Sequence, residues 1–360
     1  MSKTNIASGA TYAPTAEAKK VVEPGEFVFA AAFLDHGHIY GQVNGLRDAG
    51  GTLKYVYDTE PDRIAAFIEK NPEVMVADSF EQILHDDSVR MVAAAAVTSE
   101  RAGIGFRTMD AGKDYFTDKA PFTTLEQLET ARARVKETGK KYMVYFSERL
   151  HNEGAMKAGE LIARGAIGQV VQVVNLAPHR LSKDIRPDWF FEREKYGGII
   201  TDIGSHQFEQ FLAYTNAKDA TIEFARVANY TCPDKPELQD FGEAMLVADN
   251  GASFYCRIDW LTADASPVWG DGRTFVVGTE GSIEVRKYMD VARKAPDSVV
   301  FLVNGEREEE FPCLGNVGFP FFGKLILDSL NRTETAMTQE HAFKSAELAL
   351  KAQALAEERL

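Results

Sequence analysis

The chain has 360 residues, enough for one large or two medium domains, and its 45% apolar and 26% charged composition is that of an ordinary globular protein. With 54 acidic against 40 basic residues the net charge is −14, which argues against nucleic acid or an anionic membrane as partner, since phosphate binding needs clustered Lys and Arg. Cys232, Cys256 and Cys313 form no CxxC pair and no apolar run reaches the roughly 18 residues of a membrane span, so the expectation is a reducing, cytoplasmic setting.

Residues 1–25 are rich in Ala, Thr, Ser and Lys, have no apolar segment of a secretion signal, and are expected to be a flexible arm. From 26 to 147 apolar runs at 27–33, 53–57, 74–77, 89–97, 114–117 and 142–146 alternate with helical segments. Pro61, Ser99-Glu100 and Thr123-Thr124 with Glu126 mark helix starts, and Gly50-Gly51, Gly112 and Gly139 mark ends. Short, wholly apolar strands between helices predict a doubly wound parallel sheet covered on both faces, a Rossmann domain. From 148 to 340 the pattern predicts a second, α+β domain. Helices fall near 152–164 and 203–214, followed by alternating strands at 221–230, 242–247, 252–259, 273–278, 282–288 and 299–303. This is an open-faced, mostly antiparallel sheet with helices on one face. The last segment, 341–360, reads as a helix packing back on the Rossmann domain.

The turn after the first strand, Asp35-His36-Gly37-His38-Ile39, stands where a dinucleotide fingerprint G-x-G-x-x-G would, but keeps only the middle glycine, with Gly41 one place late. Gly37 still allows backbone to approach a phosphate at a helix N-terminus, while Asp35 can instead cap that helix. The second strand ends in Asp58, an acid that can accept ribose hydroxyls and repel a 2′-phosphate, which favours NAD over NADP; it also suits a turn before Pro61. No pattern of His, Cys and carboxylate residues has convincing zinc spacing, so no metal is expected.

Three further blocks carry a resemblance. They are the strand ending in Thr98-Ser99-Glu100-Arg101, the segment Ala111–Phe122 (AGKDYFTDKAPF), and Gly197–Phe211 (GGIITDIGSHQFEQF). Their order and spacing resemble those of the glucose–fructose oxidoreductase / inositol dehydrogenase (Gfo/Idh/MocA) family, with Asp118 in place of a Glu, Ala120 between Lys119 and Pro121, and Glu209 in place of an Asp. The resemblance implies oxidation of a secondary alcohol of a sugar or polyol by a bound nicotinamide dinucleotide, with Lys119, Asp202 and His206 as catalytic trio. Asp35, His36, Gly37, His38, Ile39, Asp58, Thr98, Ser99 and Lys119 are the cofactor candidates. Substrate candidates are Tyr145, Arg149, His179, Arg186 and Trp189 beside the trio, with Glu148 close by.

The chemistry suits those types. An imidazole can take the hydroxyl proton, an ammonium can stabilise charge on the reacting oxygen, a carboxylate four residues before the histidine shares its helical face, and Gly204 leaves room for a ring. Two other readings of the same residues stay open: a bound-NAD enzyme with no net redox (an epimerase, or a lyase or glycosidase acting through a ketone), and a non-catalytic sugar or NAD sensor. The expected partner is a small carbohydrate, in a homo-oligomer (dimer or tetramer) formed through the C-terminal sheet.

Overall fold

The structure, a computed structural model, describes residue 9, residues 12–14 and residues 19–358. Much of the expected N-terminal arm lies outside the described residues. The part next to the first strand is fixed: Val21 N donates to Ala49 O (3.0 Å) and Gly25 N to Thr52 Oγ1 (2.9 Å). The described chain divides into two units. One holds residues 12–14, 19–145 and 320–343, the other Gly9, 146–319 and 344–358.

The first unit contains six strands, β1 (Val28–Ala32), β2 (Thr52–Tyr57), β3 (Met75–Val76), β4 (Met91–Ala94), β5 (Asp114–Asp118) and β6 (Tyr142–Tyr145), all parallel in the order β3-β2-β1-β4-β5-β6. Helices α1 (His38–Asp48), α2 (Pro61–Lys70), α3 (Phe80–His85), α4 (Arg101–Asp110) and α5 (Leu125–Thr138) connect them. The strand order reverses between β1 and β4, and open sheets of this kind take their ligands in the crevice at such a point. Local signals act as the sequence suggests. Pro61 opens α2; Thr124 caps α5 in a box closed by Gln127 rather than Glu126; Gly139 ends it at φ 65°. Ser99 and Glu100 form a 3₁₀ turn with Thr98, and Glu100 is the N-cap of α4, without a side-chain bond, so that α4 starts at Arg101.

The second unit opens with short α6 (Ser147–Leu150) and α7 (Glu153–Ala163), then β7 (Val170–Pro178), α8 (Arg193–Tyr196) and α9 (Ser205–Thr215). Next come β8 (Ala220–Ala228), β9 (Phe241–Ala248), β10 (Ser253–Asp259), β11 (Arg273–Gly278), β12 (Gly281–Arg286), β13 (Val299–Asn304) and β14 (Glu308–Pro312). The sheet order is β14-β13-β12-β11-β7-β10-β9-β8, antiparallel except for β7–β10. One face is the core: Ala244, Cys256, Asn175, Thr274, Val285 and Val300 are paired across the strands and all buried, and Phe211 of α9 stacks on Phe254 at 4.6 Å. The other face carries Met245, Tyr255, Val174 and Phe275 in register, with Met245, Val247, Val277 and Val303 39–48% exposed, so that alternation leaves an apolar surface open.

The C-terminal segments depart from expectation. Helix α10 (Pro320–Asn331) belongs to the first unit, where Phe321 and Phe322 pack on Phe116. Helix α11 (Gln339–Glu357) covers the segment 341–360 that was expected to pack back on the Rossmann domain. Its first turn does belong there, with Gln339 Nε2 donating to Tyr142 O (2.6 Å), whereas Gln353 and Glu357 bond Ile200 N and Arg193 in the second unit. Among the described residues no helix is long and apolar enough to cross a membrane.

Candidate active-site residues in the two units

In the first unit the residues after β1 turn back on β4: Phe33 N donates to Tyr57 O, His36 N to Ala95 O, and Ala95 N to Phe33 O. Phe33 is held at φ 56° between the rings of Tyr57 and Phe80. Gly37 is the N-cap of α1, and Asp35 makes no cap; its carboxylate lies 3.2 Å from Arg63 and its pKa is raised, first by burial. Gly41, seemingly one place late, does the work of the last fingerprint glycine. A Cβ there would fall 2.4 Å from Tyr145 Oη, so only Gly lets α1 lie against that ring. Ile39 is a core residue and Thr98 is buried.

The expected acceptor Asp58 is already engaged. Its Oδ2 accepts Leu34 N (2.5 Å), and its Oδ1 accepts Glu60 N (2.8 Å) and Arg63 Nη2 (2.7 Å). It fixes the loop, because Arg63 five residues on reaches back from α2. Asp58 and Asp35 together flank one guanidinium, which leaves this corner negative.

At the end of β5, Asp118 is fully buried and accepts from His38 Nδ1 (2.8 Å), Arg101 Nη2 (3.3 Å) and the main-chain N–H of Lys119 (2.8 Å), while His36 Nδ1, which accepts His38 N, lies 3.3 Å away. Burial alone would raise its pKa, but His38, then Arg101 and His36, hold it far below the carboxylate range. Arg101, itself buried, also donates to the carbonyls of Ala96, Lys119 and Ala120. The Lys119–Ala120 peptide is cis. The imidazoles of His36 and His38 therefore serve the strand end that carries Lys119. Ligand atoms of His36, His38 and Asp118 come within 4.8 Å of one another, but a cation there would share the carboxylate with the fixed charge of Arg101. Tyr145, a substrate candidate, is wholly buried against His38 and Phe116, a packing residue of this unit.

In the second unit Asp202 lies in a π-helical turn, Ile200–Gly204, that runs into α9, where His206 follows one turn later; both are buried. Such wide turns recur at functional sites. Gly204 is tightly packed: a Cβ would meet Ile200 and Ile258 at 3.2 and 3.3 Å. Arg149 is engaged within its own unit. Its Nε lies 2.9 and 2.8 Å from the two oxygens of buried Glu209, a pair that raises the Arg149 pKa against the effect of burial. Glu148 lies deeper than a lining residue would. Its Oε2 accepts Lys287 Nζ (2.8 Å) and Gln207 Nε2 (2.9 Å), and its Oε1 lies 3.5 Å from His179 Nε2. Against burial, Lys287, His206 and His179 hold Glu148 well below the carboxylate range. His179 packs between Trp260 and Trp269, Trp189 edges onto Phe190, and Arg186 lies over Phe190 and Trp260. Arg101 and Lys287 were not singled out as site residues. Arg101 stands in a quoted block, but nothing in the sequence joins Lys287 to Glu148, 139 positions away.

Comparison with known proteins gives the same two halves. Residues 30–146 match the family profile "Oxidoreductase family, NAD-binding Rossmann fold" and residues 155–284 match the "GFO/IDH/MocA C-terminal domain". A crystal structure from Erwinia carotovora atroseptica is 47% identical, covering 92% of this chain and 99% of that one, with TM-score 0.89. Similar curated proteins include a D-xylose dehydrogenase of Paenarthrobacter nicotinovorans, 27% identical over 185 residues (47% of each chain). A scyllo-inositol 2-dehydrogenase (NAD(+)) of Bacillus subtilis (strain 168) is 26% identical over 208 residues (56% of each). The chain thus spans about half the length of the curated relatives it matches. A levoglucosan dehydrogenase in complex with NADH and levoglucosan, 16% identical over 93% of this chain and 98% of that one with TM-score 0.74, shares the fold. With both halves matched in order, the chain belongs to the Gfo/Idh/MocA family of oxidoreductases.

Proposed function

We propose that this protein is an NAD-dependent oxidoreductase that transfers a hydride between a secondary alcohol of a sugar or polyol and the nicotinamide. The observation that carries it is the placement of His206 on a π-to-α helical junction with Asp202, under the influence of the buried carboxylate Glu148. When bound, the nicotinamide supplies the hydride acceptor. His206 takes the hydroxyl proton, an imidazole being the side chain best matched to that transfer near neutral pH. Asp202 holds a substrate hydroxyl, and Lys119 steadies negative charge on the reacting oxygen.

Asp35–Ile39 with Thr98 and Ser99 hold the dinucleotide. NAD is preferred to NADP because two carboxylates flank the single guanidinium of Arg63, and a 2′-phosphate would meet net negative charge. The names of the dehydrogenase relatives support a carbohydrate substrate. The apolar open face of the eight-stranded sheet supports a homo-oligomer formed through it. The three buried, unpaired cysteines suit a cytoplasmic setting.

The test is a screen of polyols, aldoses and glycosides for NADH formation, with a check for copurified cofactor. His206→Ala and Lys119→Ala are expected to lower kcat/KM by about 10²–10⁴-fold at unchanged melting temperature. Undiminished turnover in His206→Ala would overturn the assignment, and tightly held NAD without net NADH would point to a reaction with no net redox.

A further inference from the structure

We infer that Arg186 is a specificity residue of the second unit, and that the carbohydrate it reads carries an oxyanion, either the carboxylate of a sugar acid or a phosphate ester. This rests on the dehydrogenase reading above and names its substrate class.

The contrast with the other arginines carries the inference. Among the described residues of the second unit, every other arginine except the exposed Arg293 has a carboxylate oxygen within 4.0 Å, as Arg149 has Glu209, Arg193 has Glu357 and Arg257 has Asp259. Arg186 has none. Its Nε donates to Leu181 O (2.9 Å), and the structure shows no acceptor for its two terminal nitrogens among the described residues. Its guanidinium lies 4.5 Å from the Phe190 ring centroid and 4.8 Å from that of Trp260. Two rings hold the charged plane in place but satisfy none of its edge N–H groups, which stay open to an incoming acceptor.

Burial pushes the Arg186 guanidinium down to about 10, with Asp202 the carboxylate that partly opposes this, so it remains charged at neutral pH. A planar fork already stacked on two rings is arranged for bidentate capture of a carboxylate or phosphate, which a lysine cannot reproduce. Trp260, on which it lies, also lines a cavity of about 590 Å³ with Arg180, Lys183, Thr231 and Thr262, ample for a monosaccharide.

The experiment uses the full chain saturated with NAD and measures binding by calorimetry, with steady-state kinetics in parallel. The probes are D-glucuronate, D-galacturonate, D-mannuronate and D-gluconate, each against its neutral hexose, and glucose 6-phosphate to separate phosphate from carboxylate. At least one acid should bind tenfold or more tighter than its neutral counterpart, as about one charge-assisted bidentate pair gives. Arg186→Gln should erase that preference and Arg186→Lys keep part of it. A thermal melt verifies that each variant is folded, and Arg186→Lys decides alone if Arg186→Gln is not. The proposal falls if neutral sugars bind as tightly as all the acids, or if the acid preference survives in the variants. Absence of NADH from every sugar would sink the dehydrogenase reading instead, while the calorimetric comparison still decides this one.

Discussion

Asp118 in the first unit and Glu148 in the second are built alike, each a buried carboxylate among imidazoles with one fixed cation at its side. What the cation does otherwise separates them. Arg101 spends its remaining donors on the carbonyls of Ala96, Lys119 and Ala120, so the Asp118 cluster fixes main chain at a strand end and, through His36 and His38, the first turn of α1. Lys287 gives its ammonium to Glu148 itself, and Gln207, beside His206 on α9, gives its amide to the same oxygen. The second cluster acts on side chains, not on chain path. The same electrostatic device thus shapes a loop in one unit and conditions an imidazole in the other.

Substitutions at the two carboxylates test that difference. Asp118→Asn and Glu148→Gln each strand a buried cation and should cost roughly 3–5 kcal/mol of unfolding free energy, read by denaturant melts. Their functional signatures should diverge. Asp118→Asn is expected to weaken NAD binding in a direct titration. Glu148→Gln should leave NAD binding near wild type and shift the acid limb of the kcat/KM profile to lower pH, because the charge favouring a protonated imidazole is gone. Identical signatures would erase the distinction.

The pH dependence of stability sharpens it next. Both carboxylates have folded pKa values below their unfolded ones, so their stabilisation is present above about pH 4 and is lost as pH falls below it. The stability gap between wild type and the Asp118→Asn/Glu148→Gln double variant should therefore narrow steadily in acid melts. A smaller effect, roughly 1–3 kcal/mol, is expected for Gly41→Ala, whose new methyl would meet Tyr145 Oη and press on the loop that the Asp118 cluster holds. The smallest, about 1 kcal/mol, is expected for Thr124→Ala, which opens the capping box of α5 away from both clusters and should leave NAD affinity and the pH profile unmoved.

Periodicity and turn chemistry carried the architecture. Wholly apolar runs between capped helices can be satisfied only by a parallel sheet covered on both sides, and alternating strands joined by Gly and Asn turns only by an open-faced one. The blocks around Lys119, Asp202 and His206 were equally legible, since each is local. What each side chain does there was not. Asp58 is an acid at the right place after β2, and Arg63, Leu34 and Glu60 already bond it. Gly204, read as space for a ring, also packs tightly against Ile258, 54 residues on. Arg149 looked like a substrate donor and is neutralised by Glu209.

The amino-acid order alone therefore determined the strand and helix pattern and the two domain types, because these depend on neighbours within a few residues. Tertiary structure decided which charges are already paired and which are left open, Arg186 among them, because a carboxylate's partners are set by distances between segments that local sequence does not encode.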